Sequence, residues 1–134
     1  MNAPLGPLFF RSALIAVGVT AAVWLGRRYR RFAISGQSML PTLAAGDWVL
    51  VDERAYRSKL PLRGHIVIAR DPRQLDRHIV KRVVSVDLHG EIGLEGDNPE
   101  ESTDSRQFGP VSAPLIQGRV RWRYWPAPRF GSIA

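Results

Sequence analysis

The sequence predicts a mainly β domain preceded by one N-terminal transmembrane helix. Three observations predict it. One long apolar run lies near the N-terminus, short runs rich in β-branched residues follow from Trp48 onward, and turn signals separate those runs. The expected organisation is an anchor with its basic flank over 1–31, a β domain over 32–125 and a flexible tail over 126–134. At 134 residues the chain is of single-domain size.

The helix comes first. Leu8 to Leu25 reads LFFRSALIAVGVTAAVWL, 18 residues with Arg11 as the one charge. That is the short end of the range for a span, which needs about 20 residues. A long Arg near one end can snorkel to the headgroups, and Trp24 lies near the other end, where aromatic belts sit. Arg27, Arg28, Arg30 and Arg31 follow at once. A cleaved secretory signal has its basic region before the apolar run and small residues after it. Here the large cluster comes after, so the segment reads as an uncleaved, single-pass anchor in contact with membrane lipid; the plainer alternative is a buried or interfacial helix of a soluble protein. Positive-inside bias would hold the body on the cytoplasmic side.

The strands come next. Trp48 to Val51, His65 to Ala69 and His78 to Val86 are the strong runs, and Glu91 to Glu95 and Gly118 to Tyr124 the weaker ones. Ala45-Gly46-Asp47, Arg63-Gly64, Asp71-Pro72, His89-Gly90 and Gly96-Asp97-Asn98-Pro99 punctuate them. That spacing suits an all-β domain or small barrel. The tail from Pro126 holds Pro and Gly and is expected to fray.

Composition narrows the chemistry. Cysteine is absent, which removes disulfides, thiol catalysis and Cys-based zinc sites. Nothing calls for a metal or an organic cofactor. Net charge is +7, but residues 1–31 hold five Arg and no acid, and the remainder carries 14 basic and 12 acidic side chains. The body is therefore no general nucleic-acid surface. The basic side chains are 17 Arg and 2 Lys, Lys59 and Lys81. Arg cannot be deprotonated in a protein, so only those two lysines are eligible as an amine base.

Three segments could carry a reaction. In Ile34-Ser35-Gly36-Gln37-Ser38-Met39-Leu40-Pro41-Thr42-Leu43, a Ser between Gly and Pro can be presented on a tight turn. Its hydroxyl needs an adjacent base to become nucleophilic; taken alone, such a turn is an ordinary loop. In Ile79-Val80-Lys81-Arg82-Val83-Val84, a Lys sits amid an apolar strand. Desolvation would lower its pKa and make it a usable base; the plainer alternative is an outward-facing Lys. Gly96-Asp97-Asn98-Pro99-Glu100-Glu101-Ser102-Thr103-Asp104-Ser105-Arg106 could hold that base by hydrogen bonds, or be a solvated turn.

Together, and in this order, SGQSMLPTL, RGHIVIA, KRVV and GDNPEESTDSR resemble the boxes of the signal peptidase I family of membrane-anchored serine proteases, over Ile34 to about Trp125. The resemblance implies a signal-peptidase-like catalytic β domain and a Ser/Lys dyad, a variant of Ser-base catalysis. It implies Ser38 as nucleophile and Lys81 as general base, with Ser102 orienting the amine, Asp104 and Arg106 pairing to fix the loop, and Met39 packing beside the nucleophile near the membrane-facing surface. The Ser38 N–H would donate into the oxyanion hole. Gly36, where some members carry a hydroxyl donor, supplies none. His65 stands where the family commonly has Asp and is read as structural; His78 and His89 are read as surface residues.

The partner so implied is a precursor protein with an N-terminal leader, and no nucleic acid. Signal peptidases cut on the outer side of the membrane. GDNPEESTDSRQFG, the short body and RWRYWP also resemble the branch that matures nickel-type superoxide dismutase, whose substrate would be cytoplasmic. The mitochondrial inner-membrane peptidases are a third similar group of comparable size. From other classes, a self-cleaving repressor lacks its DNA-binding helices here, and a catalytically inactive membrane-tethered β interaction module remains the alternative.

Overall fold

Thirteen-residue β4 (Gln74–Val86) lies beside β3 (Ile66–Asp71), and this hairpin is the centre of the molecule. The computed structural model describes residues 7–133, with side chains from Arg11 onward. Helix α1 (Pro7–Arg28) leads into β1 (Tyr29–Ala33), followed by β2 (Trp48–Asp52), β3, β4, β5 (Ile92–Glu95), a four-residue helix α2 (Ser105–Phe108), β6 (Ile116–Trp125) and β7 (Gly131–Ser132). The strands form one antiparallel sheet in the order β1-β2-β6-β3-β4-β5, with β7 added on β6. The expected mainly β architecture is therefore observed.

Strand β3 reads apolar without alternation because both its faces are covered. Ile66 and Ile68 enter a core with Ile34, Met39, Leu43, Val49, Val51 and Val120. Val67 and Ala69 enter a second core with Ile79, Val83, Ile92, Leu94 and Val111. Successive strand side chains point to opposite faces, so Lys81, between Ile79 and Val83 on the buried positions of β4, is turned inward. That settles the choice the sequence left open between a buried and an outward-facing lysine.

Strand β4 starts four residues before the expected His78. Gln74, Leu75, Asp76 and Arg77 are exposed and carry no apolar pattern. The strand extends there from a tight turn at Asp71-Pro72-Arg73-Gln74, with Asp71 pairing Gln74. Strand β6 packs closely over β2 at Gly118. A Cβ there would meet Val51 Cγ1 at 2.7 Å and the Asp52 carbonyl oxygen at 2.8 Å. Gly118→Ala is expected to destabilise the fold by about 1–3 kcal/mol, read as a lowered urea midpoint with an unchanged slope.

Two expectations at the ends need correction. Among the described residues, no helix is long and apolar enough to cross a membrane. The side chains of Leu8–Phe10, which open the expected span, lie outside the described residues. Arg11 interrupts the run, and the uncharged stretch 12–26 would cover only roughly 22 Å of a core about 30 Å thick. The transmembrane span over 8–25 is thus unsupported, although the segment is helical and Leu14, Ile15, Val17 and Val19 are exposed. The basic flank is also partly structural. Arg28 donates to buried Asp52 from Nη2 (2.7 Å) and Nε (3.2 Å), and residues 29–31 are already strand. At the other end, residues 126–133 of the expected tail over 126–134 do not behave as a free tail. β7 pairs β6, and Ile133, 8% exposed, fills the first core. Ala134 lies outside the described residues.

Candidate active site

The Ser35–Met39 turn and the start of β4 face each other across a cleft of about 240 Å³. Ser38, Lys81, Gly36, Met39, Ile79 and Thr103 line it. Gly36 holds the turn open with φ +89°, a left-handed conformation that favours glycine. Ser38 is half-buried, and its carbonyl oxygen accepts from the Asn98 N–H at 2.9 Å. Among the described residues, neither its N–H nor its hydroxyl has a hydrogen-bond partner. Met39 is buried in the first core beneath the turn and also lines the cleft, so it packs beside Ser38 from below.

Across the cleft Lys81 is 4% exposed, and its Nζ donates to Ser102 Oγ at 2.9 Å. Ser102 donates to Asp104 Oδ2 at 2.6 Å. The polarity of this relay is forced. Asp104 can only accept, so the single Ser102 proton goes to it, and Ser102 must accept from the lysine. A neutral Lys81 then keeps its lone pair for a different direction.

Asp104 is fully buried. Burial alone would raise its pKa, but donation by Arg106, Ser102 and the Gly96 and Arg106 amides outweighs that and holds the carboxyl well below the usual carboxylate range. The Arg106 guanidinium grips it through Nε at 2.9 Å and Nη2 at 2.6 Å. Asp104 also caps α2, exchanging hydrogen bonds with Gln107. Desolvation pushes the Lys81 amine below its ordinary value; Asp104 opposes the shift, and Arg106, Arg77 and Arg73 add to it. With Arg106 offsetting the Asp104 charge, Asp104 serves as an orienting acceptor and draws Lys81 less strongly toward the ammonium form.

All the residues expected at the site, Gly36, Ser38, Met39, Lys81, Ser102, Asp104 and Arg106, therefore gather in the cleft or its supporting loop. Lys59 is exposed on a loop after β2 and is not among the cleft residues. Half-buried His65 accepts from the Leu62 N–H and contacts the Tyr56 hydroxyl, away from the cleft. His89 is exposed, whereas His78, expected on the surface, is half-buried at the cleft edge against Phe32.

Three further groups position the site and were not singled out from the sequence. Arg82 points opposite to Lys81 and binds Asp97 bidentately, at 2.8 and 2.7 Å, while Thr42 donates to Asp97 at 2.6 Å. This joins the serine turn, the lysine strand and the last loop. Buried Asp47 accepts from Arg129 at 3.0 Å, and Arg123 reaches the Thr42 carbonyl at 2.8 Å, so the C-terminal segment braces the serine turn. Gly96 lets the two halves of the site meet: a Cβ there would fall 2.5 Å from the Ser38 carbonyl oxygen and nearer still to Ser102 Oγ. The available signal was local: the alternation that turns Lys81 inward turns Arg82 outward toward Asp97.

Comparison with known proteins gives a consistent picture. The family described as signal peptidase, peptidase S26, matches residues 8–87 and 88–125. The mitochondrial ATP-independent inner membrane protease subunit 1b of Arabidopsis thaliana is 37% identical, over 73% of this chain and 71% of the relative. Human mitochondrial inner membrane protease subunit 1 is 35% identical, over 74% and 71%. Zebrafish (Danio rerio) subunit 2 is 31% identical, over 93% and 79%.

Proposed function

Because this chain belongs to the signal peptidase, peptidase S26, family, we propose that it is a serine endopeptidase in which Ser38 is the nucleophile and Lys81 the general base. The observation that carries the proposal is the buried Lys81–Ser102–Asp104 relay opposite a serine whose hydroxyl has no hydrogen-bond partner among the described residues. Neutral Lys81 takes the Ser38 proton as Oγ attacks a peptide carbonyl. The Ser38 N–H donates to the developing oxyanion, and one such donor is typically worth ~2.7–4 kcal/mol. Lys81 then returns the proton to the leaving amine. Water, deprotonated by Lys81, releases the acyl group.

The substrate lies extended. β5 pairs β4 only from Arg82 onward, so among the described residues the edge of β4 before Arg82 has no strand beside it on the side away from β3. Such an edge accepts an added strand. We assign the substrate class as a precursor protein with an N-terminal leader or propeptide, cut at a membrane surface. The names of the relatives, inner membrane proteases, and the exposed apolar side chains of α1 support membrane association. Incubation with candidate precursors, followed by sequencing of the new N-terminus, tests the substrate class. A serine-acylating inhibitor should label Ser38. No labelling would favour an inactive membrane-tethered module.

The segments GDNPEESTDSRQFG and RWRYWP support a second reading, cleavage of a nickel-type superoxide dismutase precursor in the cytoplasm. An extracytoplasmic C-terminus in a topology assay would overturn it.

The lowered Lys81 value sets the pH dependence. The proton-accepting form gains as pH rises through that value, so kcat/KM should climb with pH and level off below the ordinary lysine value of about 10.4. A profile still rising at that pH would contradict the assignment of the base.

A further inference from the structure

Arg77 stands apart from the other arginines around the cleft. Arg73 is held by Asp71, Arg82 by Asp97 and Arg106 by Asp104. Arg77 lines the same cleft as Lys81, is exposed, and has no ion-pair or hydrogen-bond partner among the described residues. It lies four residues before Lys81 on β4, with Ile79 between them, so alternation places all three on one face. Four strand residues span roughly 13 Å. This stretch is also the edge that β5 leaves unpaired.

We propose that Arg77 is a specificity-determining residue that recognises an acidic side chain on the substrate, about four residues from the residue lying opposite Lys81. The inference rests on the protease reading and deepens it. A strand added along β4 presents alternate side chains to the face that carries Arg77, Ile79 and Lys81, and oppositely charged residues facing each other across strands attract. Ile79, at 7% exposure, offers an apolar floor midway. A leader with an acid at the matching position is thereby held in the register that brings one peptide bond to Ser38. Glu101, on the same cleft, gives an acid misplaced toward it a like charge to face.

The test uses the full chain in detergent with Ser38→Ala, which removes the nucleophile, and fluorescein-labelled decapeptides rich in alanine. Glu, Gln or Lys is placed at each position in turn, and binding is read by anisotropy. Glu should bind about fivefold tighter than Gln at one position, and Lys about fivefold weaker, as for a partly exposed ion pair. Adding Arg77→Glu should invert the order, changing the Glu-to-Lys ratio at that position by several hundredfold. Equal affinities at every position, no binding by any acidic peptide, or an acidic preference that survives Arg77→Glu would each overturn the proposal.

The active chain is then given the same peptides, and new N-termini are sequenced. The preferred acid should fall three to five residues from the cut; a preference elsewhere also overturns it. Comparing Glu with Lys on one enzyme cancels any effect of Arg77 on Lys81 itself. If acidic peptides bind through Arg77 but neither they nor the precursor proteins are cleaved, the protease reading fails while acid recognition by Arg77 stands.

Discussion

Ser38→Ala and Lys81→Arg should each abolish cleavage, lowering kcat on the order of 10⁴–10⁶-fold, the loss seen when a nucleophile or its base is removed from a hydrolase that uses them as a unit. Ser38 is half-buried and its side chain has no hydrogen-bond partner among the described residues, so its replacement should change stability by no more than about 0.5 kcal/mol. Lys81 is different. Arg keeps a cation but cannot give up its proton, and at a 4% exposed position its larger head could disturb packing. Lys81→Met is therefore the companion, since it keeps the length of the stem and removes the amine. The folded chain holds the Lys81 pKa below its unfolded value, so between the two values the unfolded state binds more protons and Lys81 costs stability that is recovered as pH rises. Lys81→Met should thus be as stable as the parent, or more so, near pH 7 while remaining inactive. Cleavage surviving in a folded Ser38 or Lys81 variant would rule out the dyad.

Gly96→Ala should come second in effect. The methyl group would press on the Ser38 carbonyl oxygen and on Ser102 Oγ together. The first is backbone, tied to the Asn98 N–H, and the second is the pivot of the lysine relay, so neither can move aside without cost. An overpacking cost of about 1–3 kcal/mol is expected. The serine turn and the lysine relay should also separate, and a misplacement near 1 Å costs about 10²-fold in rate. Activity in the folded population, corrected by chemical denaturation, should therefore fall about a hundredfold. Full activity per folded molecule would show that the two halves do not depend on this close approach. Gly118→Ala, which meets comparable crowding in β6, is the control: it should lower stability and leave activity per folded molecule largely intact.

Much of this molecule was legible in the chain. β2, β3, β5 and β6 lie within a few residues of their apolar runs because those runs are what the two cores bury. The site residues were legible through resemblance to a family pattern, and Lys81 also through its setting, since an amine amid Ile79 and Val83 is physically unusual. The missed features share a cause. β1 is Tyr-Arg-Arg-Phe-Ala, a basic stretch whose strand character comes from pairing with β2. β7 is two residues long and exists because Ile133 reaches the core. The Arg28–Asp52 and Arg82–Asp97 pairs join positions 24 and 15 residues apart, and no local pattern marks them.

By itself, the sequence determined the strand periodicity, the placing of a lone candidate amine within an apolar run, and the polar residues able to orient it. Those depend on side-chain chemistry and nearest neighbours along the chain. Only the tertiary structure decided that Lys81 faces inward, that Ser102 must accept from it, that Gly96 admits the serine turn, and that Arg77, unlike Arg73 beside it in the cleft, has no partner among the described residues. Burial and hydrogen-bond polarity are properties of groups brought together from distant positions, and they have no value until the sheet has closed around them.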